Sequence, residues 1–397
     1  MLALPNWLFV IPILASLVLI HELGHFITAK IFNIKVTEFG FGFPPKIWGY
    51  KKGETEYTVN LIPIGGFVKM VGEEDPTDPR SFAAQSIGKR LIVLAAGPLM
   101  NLLTAIAIFF VLLIIPHETY EGTITVTNIA PNSPAMRSGL QPGDNIVAIN
   151  DKTIRTTDEL IEEIKKNEDQ KTTLYIQRNL MIGNVMASPE FSHNTTVTLT
   201  PRSTPPKLKV VDTVTDSTKE VSLREVQTYD KNLTIGDTMT QGSLGVIIGL
   251  TNVRVIEVQS NILEAIPESF NQLFNVLSLT YTGLTNWSQN GEDPGFTGPI
   301  GIAQITGEVA SIGYSPLFQL TALISISLGI LNLLPIPALD GGRLAFVLIE
   351  AIRGGKRISP KTEGLIHMTG FIILISLIIM MSYFDLSRIL TGNNIIN

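Results

Sequence analysis

Apolar residues gather in four long runs, and the stretches between them alternate apolar with polar positions. The first run occupies Leu2 to Ile20 and the second Leu91 to Ile115. The third occupies Leu317 to Leu334 and the fourth, approximately, Gly364 to Tyr383. About 20 apolar residues carry a helix across a hydrocarbon core. The pattern therefore predicts four transmembrane helices, at 1–30, 89–115, 313–342 and 362–384. Residues 31–88 mix aromatic and β-branched residues with glycine. There Thr55 to Ile62 and Phe67 to Val71 read as strands joined by a turn at Pro63 to Gly66. Residues 116–202 read as α+β, with strands at Thr123 to Ile129, Thr172 to Arg178 and Thr195 to Pro201, and a helix at Thr157 to Lys166. Residues 203–241 are polar and read as a partly flexible insertion, followed by a closing strand at 242–252. Ile262, Ile266, Phe270, Leu273 and Leu277 give 261–288 the spacing of an amphipathic helix, lying on the outer membrane surface or packed on the α+β region. Asp293 to Gly301 reads as a turn and 343–361 as a loop.

Composition agrees with a membrane protein. Hydrophobic residues make up 45% of the 397 and charged residues only 16%, against about 25% charged in soluble domains. Cysteine is absent, which removes disulfides, thiolate metal sites and cysteine nucleophiles. Net charge is -6. No basic block exists for nucleic acid. Basic residues concentrate in 31–88 (Lys46, Lys51 and Lys52 among others) and in 343–361 (Arg343, Arg353, Lys356, Arg357, Lys361). The positive-inside rule places both on the cytoplasmic side and 116–316 outside. The apolar N-terminus lacks a basic n-region and is read as a retained span.

Candidate chemistry lies at the end of the first run, in His21-Glu22-Leu23-Gly24-His25. Two histidines four apart share one helix face. A carboxylate beside the first can act as general base to a water activated by their ion. The plainer reading is a charged helix end at the membrane boundary. Ionisable groups in a membrane-length segment, however, usually mark a working site. The topology brings Asp340, in Leu339-Asp340-Gly341-Gly342, to a similar depth at the end of the third span; its plainer reading is an Asp-Gly turn. Two histidines and one carboxylate leave the fourth zinc position for water. His117, His193 and His367 are read as surface or packing residues.

These motifs, with Gly40-Phe41-Gly42, the run Leu61 to Met70, Ala96-Gly97-Pro98-Leu99-Met100-Asn101 and the run Asn332 to Gly342, closely resemble the site-2 protease family. That family comprises intramembrane zinc metalloproteases. The chain is most similar to the bacterial branch typified by the regulator of sigma-E protease, peptidase family M50B. The resemblance implies Zn2+ held by His21, His25 and Asp340, with Glu22 as the base. It also implies regulated proteolysis of single-span membrane proteins already cut by another protease, such as anti-sigma factors or signal-peptide remnants. Asn332 resembles a polar residue near the scissile bond, and its plainer reading is a helix-packing amide. Gly65, Gly66 and Phe67 lie on the small β element, a candidate edge for an extended substrate.

Pro131 to Gly139 and Pro142-Gly143-Asp144 resemble a circularly permuted bacterial PDZ domain. Leu244, Gly245 and Val246 resemble its carboxylate loop and peptide-pairing strand, so a peptide C-terminus is one expected ligand; a steric filter is the other reading. The fold expected is a polytopic α-helical membrane protein with a cytoplasmic-side β-hairpin or sheet and an extracytoplasmic α+β PDZ domain, in a bacterial inner membrane. The alternatives are a membrane-anchored PDZ adaptor with a non-catalytic metal site, and a metal carrier.

Overall fold

The computed structural model describes residues 5–390, except 74–75, 180, 183–184, 187–191, 217–218, 230–232 and 291–296. The chain separates into two units, residues 1–117 with 259–397, and residues 118–258. The first unit opens with a 3-10 turn, Asn6–Phe9, that runs into helix α1 (Val10–Ile31). Strands β1 (Val36–Lys52) and β2 (Thr55–Met70) follow, then α2 (Ile87–Ile114). Residues 6–31 and α2 are both apolar enough to cross a membrane. Gly24 permits the close approach of α1 to α2, since a methyl there would overlap the Ala96 carbonyl.

The β1–β2 pairing differs from a simple hairpin. Residues 55–60 face 46–52, with Trp48 opposite Val59 and Lys52 opposite Thr55. The first half of β1 lies between the two halves of β2: Phe41 faces Val59 on one side and Gly66 on the other. The predicted strands 55–62 and 67–71 are therefore not partners, although they adjoin in sequence. Residues 66–70 form an outer edge instead. Met70 and Val36 are buried with Ala29, Val93 and Val347, which fixes the sheet to the helices.

Glu54, in the turn between β1 and β2, ties this sheet to the helix end. Arg80 grips its carboxylate with two bonds of 2.8 Å, and Lys30 adds a third of 2.8 Å. The Arg80 guanidinium, and then Lys30, hold the Glu54 carboxyl down to about 2, from 4.5. A depressed carboxylate stabilises the fold above its ordinary value and loses that contribution as pH falls towards its native one. The melting difference between wild type and Glu54→Gln in detergent should therefore be constant above pH 4.5 and shrink as pH drops through the window down to about 2. A difference that grows in acid would exclude this role.

The second unit contains β3 (His117–Ile129), α3 (Pro134–Arg137), β4 (Asp144–Ile149), β5 (Lys152–Thr153) and α4 (Thr157–Lys166). It continues with β6 (Thr172–Asn179), β7 (Met181–Ile182), β8 (Val185–Met186), β9 (Ser192–Leu199), β10 (Lys207–Val211) and β11 (Glu220–Ser222). Helix α5 (Leu223–Tyr229), β12 (Thr238–Thr240) and β13 (Val246–Val258) complete it. One sheet runs in the order β13-β3-β4-β6-β9, with β5 on β4. Ile124, Ile146, Ile149, Leu174 and Ile176 from the strands and Leu160 from α4 fill its core, Leu174 and Ile176 by strand alternation and Ile149 across a register shift after Ile146. The closing strand begins at Val246, later than expected, and forms a sheet edge.

Residues 203–241 are not a flexible insertion over their described part. β10, β11 and β12 form a three-stranded sheet, and Leu208, Val210, Val221, Val226 and Met239 make a separate small core. The polar composition hides a period-two apolar pattern in Lys207-Leu208-Lys209-Val210, in which Leu208 and Val210 point inwards.

The first unit resumes with α6 (Ile262–Asn290), α7 (Pro299–Ile312), α8 (Tyr314–Leu333), α9 (Asp340–Ile352) and α10 (Pro360–Leu390). α8 and α10 are the other helices apolar enough to span a membrane. α6 packs Leu273, Val276 and Leu277 onto Ala105 and Phe109 of α2 and Ala322 and Ile326 of α8. α7 was not expected; the predicted turn at Asp293 to Gly301 lies partly outside the described residues, and its end opens this helix. α9 corrects the predicted loop at 343–361. Its Val347 joins the core of α1 and α2, while buried Glu350 pairs with buried Arg90 at 2.7 Å. Basic residues masked that helix in the sequence: Arg343 and Arg357 reach Glu73 and Glu350 rather than marking a disordered loop.

Candidate metal centre

His21 and His25 stand one turn apart on α1, 7% and 6% exposed. Asp340 is the first residue of α9. Its Oδ2 lies 2.9 Å from His21 Nε2 and 3.1 Å from His25 Nε2, and the two Nε2 atoms are 3.2 Å apart. Nitrogen ligands about 2.0–2.1 Å from a tetrahedral ion sit about 3.3 Å from each other, so this triangle has the dimensions of a ligand set.

The surrounding hydrogen bonds suit a cation. His25 Nδ1 is 2.7 Å from the Val93 carbonyl. That nitrogen must therefore carry the proton, and a neutral ring then turns the Nε2 lone pair towards Asp340. His21 Nδ1 lies 3.3 Å from the Asn101 side-chain amide nitrogen. Asn101 Oδ1 is buried without a partner among the described residues. A half-turn of the amide satisfies that oxygen with His21 Nδ1–H, the amide ends being interchangeable in shape. Both rings then offer Nε2 lone pairs beside a carboxylate oxygen. Three converging acceptors repel one another unless a positive charge lies among them. The donor set, two imidazoles and one carboxylate with second nitrogens anchored, suits Zn2+.

α2 supplies the enclosing wall. Asn101 is 1% exposed, and Ser325 Oγ of α8 donates to its backbone carbonyl at 2.8 Å. Gly97 packs directly on the histidines: a methyl there would overlap both Nε2 atoms. Neither residue was assigned a role from the sequence. The signal for Asn101 was present, a buried-type amide inside an uncharged apolar run.

Glu22 shares with His25 and Asp340 a cleft of about 520 Å³, also lined by Phe67, Val68, Met70, Arg343 and His367. Gly66 lies against Glu22, where a methyl would sit 3.5 Å from Cγ. Gly65 adopts φ +92° beside Phe43. The structure thus gathers His21, Glu22, His25, Asp340, Gly66 and Phe67. Asn332, half-buried on α8, makes no hydrogen bond to this group among the described residues. Leu244, Gly245 and Val246 belong to the second unit. Leu244 is 3% exposed within that unit's core, so its side chain cannot face a ligand; Gly245 has φ +73° and Val246 opens β13. His367, read as surface or packing, instead lines the cleft.

A His-Glu-x-x-His motif on a helix of membrane-crossing length, met by a distant carboxylate, is the arrangement of a membrane metallopeptidase. Residues 9–377 match peptidase family M50, and the chain belongs to that family. A putative zinc metalloprotease of Clostridium acetobutylicum is 32% identical, covering 95% of this chain and 96% of its own. The zinc metalloprotease RasP of Oceanobacillus iheyensis is 30% identical over 94% and 96%. A putative zinc metalloprotease of Rickettsia conorii is 34% identical over 94% and 95%. The enzyme is a metalloprotease, and Zn2+ is the cofactor that its family and donor set call for.

Proposed function

We propose that this enzyme is an intramembrane endopeptidase that hydrolyses a peptide bond within the transmembrane segment of single-span proteins. The observation that carries the reading is the convergence of Asp340 with His21 and His25 beside Glu22, the last three on a helix long and apolar enough to cross a bilayer. Bound Zn2+ would polarise the scissile carbonyl and bring the pKa of an attacking water to about 7. Glu22 takes that water's proton and delivers it to the leaving amine. Because a helical substrate hides its carbonyls in i→i−4 bonds, it must unwind before attack. The outer edge at 66–70, beside Glu22, holds the unwound segment by strand addition, and Gly66 permits close backbone approach. Asn332 is assigned a contact further along that segment.

The excess of basic residues in 31–88 and 343–361 supports an orientation with the β1–β2 sheet and the metal centre on the cytoplasmic side of a bacterial inner membrane and residues 118–258 on the other. The edge strand β13, with Gly245 before it, suits an extended peptide C-terminus, so the second unit acts as a PDZ domain that inspects substrates pre-cut by another protease. Anti-sigma factors and signal-peptide remnants have the required single span. A PDZ adaptor or a metal carrier would have no use for a carboxylate at Glu22.

Asp340→Asn tests the reading. The purified variant should lose most of its zinc, measured by elemental analysis, together with cleavage of a reconstituted single-span substrate. Full zinc occupancy in that variant would remove Asp340 from the ligand set.

A further inference from the structure

Between α8 and α9 the chain passes through Pro335-Ile336-Pro337-Ala338-Leu339 before it delivers Asp340. At the start of this turn Ile336 N–H donates to the Leu334 carbonyl at 2.6 Å, and at its end Arg343 N–H reaches the Leu339 carbonyl at 3.4 Å. Leu339 N–H donates to the Ile336 carbonyl at 3.2 Å, and Gly342 N–H to the Leu339 carbonyl at 3.1 Å. Ala338 has φ +79°, the left-handed region that a residue with a Cβ adopts only when its surroundings enforce it. The enforcing groups come from α10. Ala338 N–H donates to His367 Nδ1 at 2.9 Å. One turn further on, Gly370 packs on Pro337 so tightly that a methyl would overlap the proline ring.

The remainder of α10 makes these two contacts conspicuous. The helix runs for 31 residues, yet among its described residues only Gly370 and Asp385 are buried. Asp385, towards the far end, accepts from Gly301 N–H at the start of α7. At its near end, the helix packs on the turn that precedes Asp340. Phe346 of α9 supports the imidazole at a centroid distance of 5.3 Å.

We propose that His367 is a positioning residue for the metal centre: its Nδ1 and Gly370 clamp Pro337-Ala338 and so set the first residue of α9, Asp340, at ligand distance from His21 and His25. The inference rests on the zinc reading of those three residues. The role needs an acceptor at the Nδ1 position. Asn offers its Oδ1 at the same bond separation from Cα; Phe keeps the ring and offers none. Residues that orient ligands typically contribute 10–100-fold in metal affinity.

The test uses the full chain in detergent, with zinc affinity read by competition against a chromophoric chelator. His367→Phe should bind zinc about 10–100-fold more weakly, and His367→Asn should stay near wild type. Equal affinity in wild type and Phe variant, or an Asn variant as weak as the Phe variant, would overturn the inference. A second measurement needs no variant. In zinc-free wild-type protein the Ala338 amide should be protected from hydrogen exchange although it lies outside any helix. Rapid exchange there would equally sink the inference. A wild-type chain that takes up no zinc would count against the metal reading, while the exchange result would still decide what His367 does.

Discussion

Glu22→Gln is expected to remove peptide hydrolysis while zinc stays at its wild-type level. A positioned general base contributes about 10²–10⁴-fold, and glutamine cannot accept the water's proton. The substitution keeps side-chain volume, so the contact with Gly66 and the cleft wall persists. Glu22 is not among the three atoms of the ligand triangle, so metal retention should not depend on its charge. The measurement pairs elemental zinc analysis with cleavage of a single-span substrate in lipid nanodiscs. Residual cleavage within a few-fold of wild type would assign the proton transfer to another group.

The second large effect is expected from Gly97→Ala. The added methyl would occupy the space of His21 Nε2 and His25 Nε2. The rings sit between α1 and α2, with Val93 and Asn101 fixing their other nitrogens, so they cannot swing away without breaking those bonds. Either the rings leave ligand geometry or α2 withdraws from α1. Overpacking of this kind costs about 1–3 kcal/mol in a well-packed interior, and here the displaced atoms are the proposed ligands. Zinc content and cleavage should fall together, whereas Gly88→Ala, with open space at its Cβ, should leave both unchanged. Normal zinc affinity in Gly97→Ala would show that the two helices separate more easily than their packing implies.

How much of this centre could be read from residues alone follows from the reach of local patterns. Two histidines at helical spacing announce themselves, because the period of one helix brings them together. Asp340 was found by combining that motif with the depth at which two spans end. Gly97, Asn101 and His367 act through rings or turns on other helices, and no spacing rule links position 97 to positions 21 and 25. The fold divides in the same way. The long apolar runs marked the first two spans to within a few residues, whereas the third, expected to run to 342, ends at Leu333 and leaves Asp340 to α9, and the fourth runs on to Leu390. The β10–β12 sheet escaped because its apolar positions are short and interleaved with polar residues, and α9 because its single apolar run, Leu344 to Ile349, is too short to announce a helix between Gly341-Gly342 and the basic residues that follow it. The pairing of β1 with both halves of β2 escaped because neighbouring strands were taken as partners, although residues 36–43 intervene.

One consequence concerns biosynthesis. His21 and Asp340 are 319 positions apart, with the second unit and the two membrane-length helices α2 and α8 between them. A growing chain therefore displays its imidazole pair long before the third ligand leaves the ribosome. Joining such distant segments makes assembly slow. On the proposed ligand set, a nascent chain would have no complete metal centre until nearly all of it had been made, so that completion of synthesis itself would serve as the activating event.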